Sequence, residues 1–189
     1  MKKTFFSALA LVAALSASAQ KWTLDGAHAK LGFTVTHLSI SESEGAFKKV
    51  SSTITSSKDD FSDAVIDLTA EVNSIDTDND QRDEHLKGAD YFDAAKYPTL
   101  TFKSKSFKKV ADKKYKLSGD LTLHGVTKPV DLDVTYNGTA THPYTKKTLA
   151  GFKITGTIKR KDFGISPGTP DAVLSDEVKI LANAEYIKE

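Results

Sequence analysis

Cysteine is absent from the 189-residue sequence, which excludes disulfide bonds, thiol catalysis, thiolate metal sites and a lipid-modified N-terminal cysteine. Charge of one sign is also lacking, because 26 lysines and arginines face 25 aspartates and glutamates and leave a formal net charge of +1. A nearly neutral chain offers no electrostatic basis for binding nucleic acid or an anionic membrane. Glycine-rich phosphate loops, a Gly-x-Ser-x-Gly elbow and a His-Glu-x-x-His zinc helix are missing as well. No common catalytic motif therefore indicates an enzyme.

The N-terminus carries the longest apolar run. Lys2 and Lys3 precede an apolar segment that runs from Phe5 to Leu15, and Ala17-Ser18-Ala19 follows it. This three-part layout is typical of a secretory signal peptide, and it predicts cleavage after Ala19. The run is shorter than the roughly 20 apolar residues that span a bilayer, so no stable membrane insertion is expected. We predict a signal peptide over residues 1–19 and one exported domain over residues 20–189.

Alternation of apolar and polar residues with period two dominates the rest of the chain and predicts strands with one buried face. The clear runs span residues 29–37, 64–72, 115–123, 130–136, 150–158 and 178–186, and weaker segments at 47–55 and 100–107 bring the total to eight strands. One short helix is expected over residues 82–92, with Asp80 or Asp83 as its N-cap and Gly88 ending its first turns. Asn137-Gly138 is typical of a turn between two strands.

Eight antiparallel strands with one apolar face each are predicted to form either a sandwich of two sheets or one closed barrel. An eight-stranded barrel is either filled by its side chains or just wide enough for one slender ligand. Small residues at inward positions favour a cavity, whereas large aromatic side chains on other strands could fill the space. The small inward residues are Ala70, Gly119, Gly156, Ala182 and Ala184.

The acidic segment 76–85, with the sequence DTDNDQRDEH, looks at first like a cation site. An EF-hand loop that began at Asp76 would need glycine at its sixth position and glutamate at its twelfth. Those positions hold Gln81 and Lys87, which resist the sharp turn and repel the ion. We interpret the segment as a solvated loop whose aspartates favour the start of the short helix.

The candidate polar groups are few and scattered. His37 ends the first strand on its apolar parity and is a candidate for a cavity mouth, where a ligand head group could satisfy its ring. His124 precedes Gly125 and is expected at a strand end beside a tight turn. Arg160 and Asp162 form either a structural ion pair or a charged barrel rim.

Motifs in a fixed order along the chain resemble the YceI-like family of bacterial periplasmic polyisoprenoid-binding proteins. The strongest are the Arg-Asp-x-His-Leu motif at residues 82–86 and the segment LTLHGVTKPV at 121–130. The other matching segments are WTLDGAH (22–28), LGFTVTHL (31–38), GAF (45–47), YPTLTF (97–102), GFKITGTIKRKDFGI (151–165) and VKILANAE (178–185).

The resemblance implies an all-β fold, an eight-stranded antiparallel lipocalin-like β-barrel with one short helix. It also implies a periplasmic location, a possible homodimer and an apolar lumen that takes a long isoprenoid, such as a quinone or prenyl phosphate, without catalysis. No cofactor is expected apart from this bound lipid.

We therefore predict a periplasmic carrier that sequesters an isoprenoid lipid. The lumen residues expected to contact it are Leu31, Phe33, Val35, Ile66, Leu68, Phe102, Leu121, Leu123, Phe152, Ile154 and Ile180. His37, His124 and Arg160 are the head-group candidates. One alternative is a metal-binding or hydrolytic protein that uses His85 and the acidic loop at the barrel mouth. Another is an interaction module with a filled core.

Overall fold

The computed structural model describes residues 19–189, so the expected signal peptide lies outside the described residues except for Ala19. Its strands are β1 (Gln20–His37), β2 (Ser41–Phe47), β3 (Val50–Ser56), β4 (Val65–Glu71), β5 (Ile75–Asp76), β6 (Thr99–Ala111), β7 (Lys114–Leu123), β8 (Val126–Thr141), β9 (Thr148–Lys159) and β10 (Leu174–Lys188). The one α-helix, α1, spans Asp80–Leu86, and two short 3-10 helices span Val72–Ser74 and Arg160–Phe163. Within residues 19–189, no helix is long and apolar enough to cross a bilayer.

The strands form one antiparallel sheet that closes on itself. Neighbours follow the order β1, β3, β4, β6, β7, β8, β9 and β10, and β10 pairs back onto β1. The predicted antiparallel eight-stranded barrel is thus confirmed, and the sandwich is excluded because a sandwich does not close its sheet. Every strand can then bury its apolar face towards one interior, which is what period-two alternation requires.

Two short strands complete the wall at one end of the barrel. The sequence predicts a single strand over residues 47–55. In the structure, β2 ends at Phe47 and β3 begins at Val50, so Lys48 and Lys49 lie between two separate strands. Both pieces pair with β1: β3 pairs with its first residues and β2 with its second half. Strand β5 adds a short pairing to the end of β2. A single long β1 therefore holds both pieces, and the backbone N–H groups of Lys48 and Lys49 at their junction donate to Ser74.

Helix α1 begins earlier than the sequence predicts. Asn79, rather than Asp80 or Asp83, is the N-cap, and its side-chain oxygen accepts a hydrogen bond from the Arg82 backbone N–H at 2.9 Å. Asp83 instead is buried, and one of its oxygens accepts from the backbone N–H and hydroxyl of Thr77 at 2.9 and 2.6 Å. The carboxylate therefore fixes the helix to Thr77, the residue that follows β5, instead of capping it.

The two predicted turns have different outcomes. His124 and Gly125 have φ values of 51° and 73° and join β7 to β8 as a two-residue hairpin, as expected. Asn137-Gly138, however, lies inside β8, where the pairing with β9 shifts register between Tyr136 and Gly138. Gly138 adopts a φ of 115° there, so the pair forms a β-bulge rather than a turn. The β8–β9 turn comes later, where the His142 N–H donates to the Lys147 carbonyl at 2.8 Å.

Candidate functional site: the barrel cavity

A cavity of about 530 Å³ occupies the barrel interior. This volume falls within the range of about 300–1,000 Å³ that is typical of small-molecule sites. Aliphatic and aromatic side chains from all the main strands line most of it, and its polar lining residues lie mainly at one end. The interior can thus hold an apolar ligand while its polar end remains in water.

The structure brings all eleven predicted lumen residues together on the cavity wall. Their alternation along each strand explains this, since a closed sheet directs every second side chain inward. Side chains from β1, β4, β6, β7, β9 and β10 contribute to this surface. That these residues contact a ligand stays a prediction.

The small inward residues do not all contribute empty volume. A methyl group on Gly119 would lie 2.4 Å from the Phe102 ring, and one on Gly156 would lie 2.4 Å from a Leu132 methyl. Large neighbours therefore already use the space beside both glycines, and the expectation that these positions enlarge the lumen is wrong. Ala182 and Ala184 do line the cavity.

Phe61 closes one end of the barrel. Its side chain is 1% exposed, and its ring packs against Trp22, Phe152 and Tyr136 with centroids 5.1, 5.2 and 5.3 Å away. Phe61 lies in the loop between β3 and β4 and adopts a φ of 58°, which turns the chain back into the barrel. We call this loop, residues 57–64, the plug.

Hydrogen bonds tie the plug to the barrel. The Asp63 carboxylate accepts from the hydroxyls of Ser56 and Ser57 at 2.5 Å each, and these bonds hold its pKa well below the ordinary value of 3.8. The Tyr115 hydroxyl donates to the Asp60 carbonyl at 2.5 Å. The cavity is therefore sealed at this end by a fastened loop rather than by a strand.

The opposite end, which we call the mouth, carries exposed polar lining residues. They are His37 at the end of β1, Glu44 on β2, and Arg82 and His85 on α1. The other exposed lining residues, Lys30 and Asn183, form a pair across β1 and β10. Because the plug closes the other end, His37, Glu44, Arg82 and His85 mark where a ligand would enter.

Three phenylalanine rings narrow the cavity just below the mouth. The Phe33 centroid lies 5.9 Å from Phe47 and 6.5 Å from Phe92, and Phe47 lies 5.7 Å from Phe92. Gly45 on β2 makes room for this cluster, because a methyl group there would lie 2.4 Å from the Phe33 ring and 2.8 Å from Thr77. The three rings therefore contact one another and form a wall on one side of the cavity, which we call the aromatic wall. A flexible chain can lie against this wall, whereas a bulky polar group would lose its hydration there.

Of the three predicted head-group candidates, His37 alone has an accessible side chain at the mouth. His124 does not line the cavity; its Nδ1 lies 3.0 Å from the Phe163 carbonyl, and its ring packs edge-on against Tyr97. The hairpin that carries His124 directs it to the outside of the barrel. The sequence shows the turn but not the direction of its side chain.

Arg160 lies under the mouth, but its polar atoms are already bound. Its side chain is buried, and its nitrogens donate to the carbonyl oxygens of five residues. The acceptors are Ser175, Ile165, Ser166, Thr169 and Leu174. The nearest carboxylate is Asp171, at 3.7 Å, rather than the exposed Asp162. The guanidinium therefore holds the loop between β9 and β10 and lies nearest to Asp171, rather than forming the ion pair with Asp162 that the sequence left open. Its role as a head-group contact stays a prediction.

Arg82 is a head-group candidate that was not predicted from the sequence. Its Nε donates to the Thr77 hydroxyl at 2.8 Å and its Nη2 to the Thr77 carbonyl at 2.6 Å. Within the described part of the chain, Nη1 has no hydrogen-bond partner. His85 lies one turn further along α1, and its ring packs edge-on against Tyr91 at 4.8 Å. The Arg-Asp-x-His spacing was the available signal, because residues three apart share one helix face.

The acidic segment does not form a metal site. Asp76 accepts from the Asp78 N–H at 2.9 Å and lies 3.1 Å from the Lys48 ammonium, while Asp83 is bound to Thr77. Between residues 19 and 189, the one group of three potential ligands within reach of one another is Asp25, His28 and Glu185. It lies on the barrel wall beside a bulge of β1, away from the mouth. The geometry therefore does not favour a metal or hydrolytic centre that uses His85 and the acidic loop.

Comparisons with known proteins agree with this architecture. The sequence profile of the YceI-like domain matches residues 22–186. Protein YceI of Salmonella agona (strain SL483) is 37% identical over 186 residues, which cover 98% of this chain and 95% of that protein. The crystal structure of the Campylobacter jejuni YCEI protein is 36% identical, with a TM-score of 0.74 over 82% of this chain and 90% of that one. A polyisoprenoid binding domain from Saccharophagus degradans shares the fold at 19% identity, with a TM-score of 0.67 over 89% of this chain and 98% of that one.

Proposed function

Because the chain belongs to the YceI-like family, we propose that it is a non-catalytic carrier that holds a long-chain isoprenoid lipid in its barrel. The observation that carries this proposal is the apolar cavity of about 530 Å³, which is closed by the plug and open at a polar mouth. The Saccharophagus degradans protein of the same fold is described as a polyisoprenoid binding domain, which supports this ligand class.

The cavity wall can supply the binding energy without strong polar contacts. Each methylene that leaves water for an apolar site contributes about 0.8 kcal/mol before the cost of ordering the chain. Several isoprene units would therefore bind tightly against the aliphatic lining. The aromatic wall of Phe33, Phe47 and Phe92 would contact the tail on one side near the mouth.

The mouth favours a head group that accepts hydrogen bonds, such as a quinone carbonyl or a prenyl phosphate oxygen. Arg82 is held by Thr77 with its Nη1 directed away from those bonds, and His37 and His85 lie on the same rim. A planar guanidinium is well suited to phosphate oxygens. We assign the head-group contact to these three residues.

The N-terminal sequence and the family also support a periplasmic location and a homodimer as parts of this proposal. Lys2, Lys3 and the apolar run after them are typical of an exported protein. A periplasmic carrier would move or store a lipid that is insoluble in water.

Native mass spectrometry on protein purified from its host periplasm without detergent tests the carrier function. We expect a bound mass that matches an isoprenoid in a stoichiometric complex, and solvent extraction identifies it. A protein that stays ligand-free after incubation with ubiquinone, undecaprenyl phosphate and fatty acids would overturn the proposal.

A pair of variants tests whether the lipid lies in the cavity. Ala182→Leu with Ala184→Leu adds about six side-chain carbons on β10 and displaces at least two methylenes of the tail, so we expect affinity to fall by roughly tenfold or more. Leu181→Phe enlarges a side chain on the outer face of the same strand and is the control. Equal affinities for the filled and control variants would contradict binding in the lumen.

A further inference from the structure

Three exposed apolar side chains lie together beside the mouth. Leu38 and Ile40 belong to the β1–β2 turn and are 49% and 84% exposed, and Val173 precedes β10 and is 40% exposed. The two loops are hydrogen-bonded, because the Leu38 N–H donates to the Val173 carbonyl at 2.9 Å and the Ser39 hydroxyl to the Ala172 carbonyl at 3.3 Å. We call Leu38, Ile40 and Val173 the mouth tip.

The backbone of the tip is unusual for the residues that it carries. Leu38 and Ser39 have φ values of 51° and 59°, and the Ile40 N–H donates to the His37 carbonyl at 3.2 Å. This tight hairpin turn favours asparagine and glycine at its two central positions. A leucine there is strained and presents an apolar side chain to water. Such a combination suggests that the side chain serves a purpose other than stability.

The tip is continuous with the cavity wall. His37 and Leu174 pair across β1 and β10 and line the cavity, and they directly adjoin Leu38 and Val173 in the chain. Leu174 therefore joins Val173 to the lumen, and an apolar path runs along the start of β10 from the lumen over the rim to the outside. An isoprenoid that leaves an apolar phase would pass along this path with little exposure to water.

The charges around the tip indicate which kind of surface it fits. Glu42 pairs with Lys179 at 2.5 Å, and Lys161 pairs with Asp171 at 2.5 Å, so these two lysines are neutralised. At the rim, the negative charge of Glu44 offsets the positive charge of Arg82. This face has no excess positive charge to attract anionic lipid, so the apolar side chains would supply the contact.

We propose that the mouth tip docks on the surface of a lipid bilayer that carries no net charge, so that the cavity exchanges its ligand directly with the membrane. The inference rests on the proposed carrier function and adds the partner with which the cavity exchanges its ligand. Insertion of the tip would place the mouth at the level of the lipid head groups and bring the aromatic wall close to the acyl chains.

A pair of double variants tests the docking. Leu38→Asn with Ile40→Thr removes the tip while retaining residues that suit the turn and the strand. Val110→Thr with Tyr144→Asn is the matched control, because these side chains are 59% and 88% exposed and lie towards the plug end. Circular dichroism and thermal unfolding of both proteins establish that the fold is retained.

Two measurements are compared for the wild type and both variants. The first is flotation with phosphatidylcholine vesicles, at low and high salt. The second is the rate of ubiquinone uptake, from the same vesicles and from detergent micelles. We expect the tip variant to lose flotation and to take up ubiquinone from vesicles roughly tenfold more slowly, with normal uptake from micelles. The control should match the wild type in every measurement.

The failures of the two proposals are distinguishable. Wild-type protein that does not float with neutral vesicles, or a tip variant that takes up ubiquinone from them at the wild-type rate, would overturn the docking. Binding that requires phosphatidylglycerol and disappears in high salt would also overturn it, since charges would then supply the contact. If ubiquinone, undecaprenyl phosphate and fatty acids all fail to enter from micelles but flotation depends on the tip, the carrier function fails and the docking of the tip stands.

Discussion

Arg160 shows how one buried side chain can organise a loop. Its guanidinium donates to carbonyls on both sides of the β9–β10 connection, from Ile165 to Ser175. A planar guanidinium has five N–H donors in fixed directions, whereas lysine has three on a flexible stem. The loop therefore depends on this residue type for its shape, and the mouth beside it depends on the loop.

We predict that Arg160→Met lowers the free energy of unfolding by about 3 kcal/mol or more, because several buried carbonyls lose their donor at once. Urea unfolding followed by circular dichroism measures the change. Lys159→Met, at the neighbouring exposed position, is the control and should change little. A loss below about 1 kcal/mol for Arg160→Met would show that water replaces the guanidinium.

At the scale of elements, the plug and helix α1 give the two barrel ends different properties. The plug fills its end with the Phe61 ring and is fastened by Asp63 and Tyr115. Helix α1 instead lies beside the opening, is anchored by Asp83, and presents Arg82 and His85 to the mouth. The barrel thus has one direction of entry, although its strands run along its whole length.

We predict that Phe61→Ala destabilises the protein by about 3–5 kcal/mol, the usual cost of removing a buried aromatic ring. It should also open the plug end to water and increase the uptake of an apolar fluorescent dye. Lys58→Ala, in the same loop but exposed, is the control. Unchanged stability in Phe61→Ala would mean that Trp22 and Phe152 close the end without the plug.

At the scale of the whole molecule, the first and last strands close the barrel. β1 and β10 pair along most of their lengths, and the Glu189 N–H donates to the Lys21 carbonyl at 3.0 Å. The Lys21 ammonium also lies 3.1 Å from the Glu189 carboxylate. The two ends of the domain are therefore neighbours, and closure requires almost the entire chain. Folding cannot be completed before the last strand is present.

We predict that a circular permutant that joins Glu189 to Gln20 by a short linker, with new ends in the exposed turn at residues 143–146, folds and unfolds cooperatively. Circular dichroism and thermal unfolding measure this. A permutant opened at residues 117–119 of β7, a strand paired on both sides, should lose the fold. Failure of the first permutant would show that the β8–β9 turn, rather than closure by β1 and β10, directs folding.

The sequence alone predicts the eight main strand regions and the face that each one buries. Alternation of period two identifies the inward side chains locally, and Phe33, Phe152 and Ile180 line the cavity for that reason. The split between β2 and β3 and the bulge at Gly138 were missed, because both depend on pairing with distant strands. The alternation alone left a sandwich and a barrel as alternatives, and the resemblance of the motif order to the YceI-like family led to the prediction of a closed barrel.

The tertiary structure alone decided which end opens and which polar groups reach the mouth. The sequence alone gives no reason to choose among the polar residues His124, Arg160 and Arg82. In the structure, His124 lies outside the cavity beside the Phe163 carbonyl, and Arg160 donates to buried carbonyls. Helix α1 presents Arg82 at the rim. Alternation is a property of neighbouring residues in the chain and can be read from the sequence. The direction of a loop or helix side chain depends on distant packing, so only the folded chain determines it.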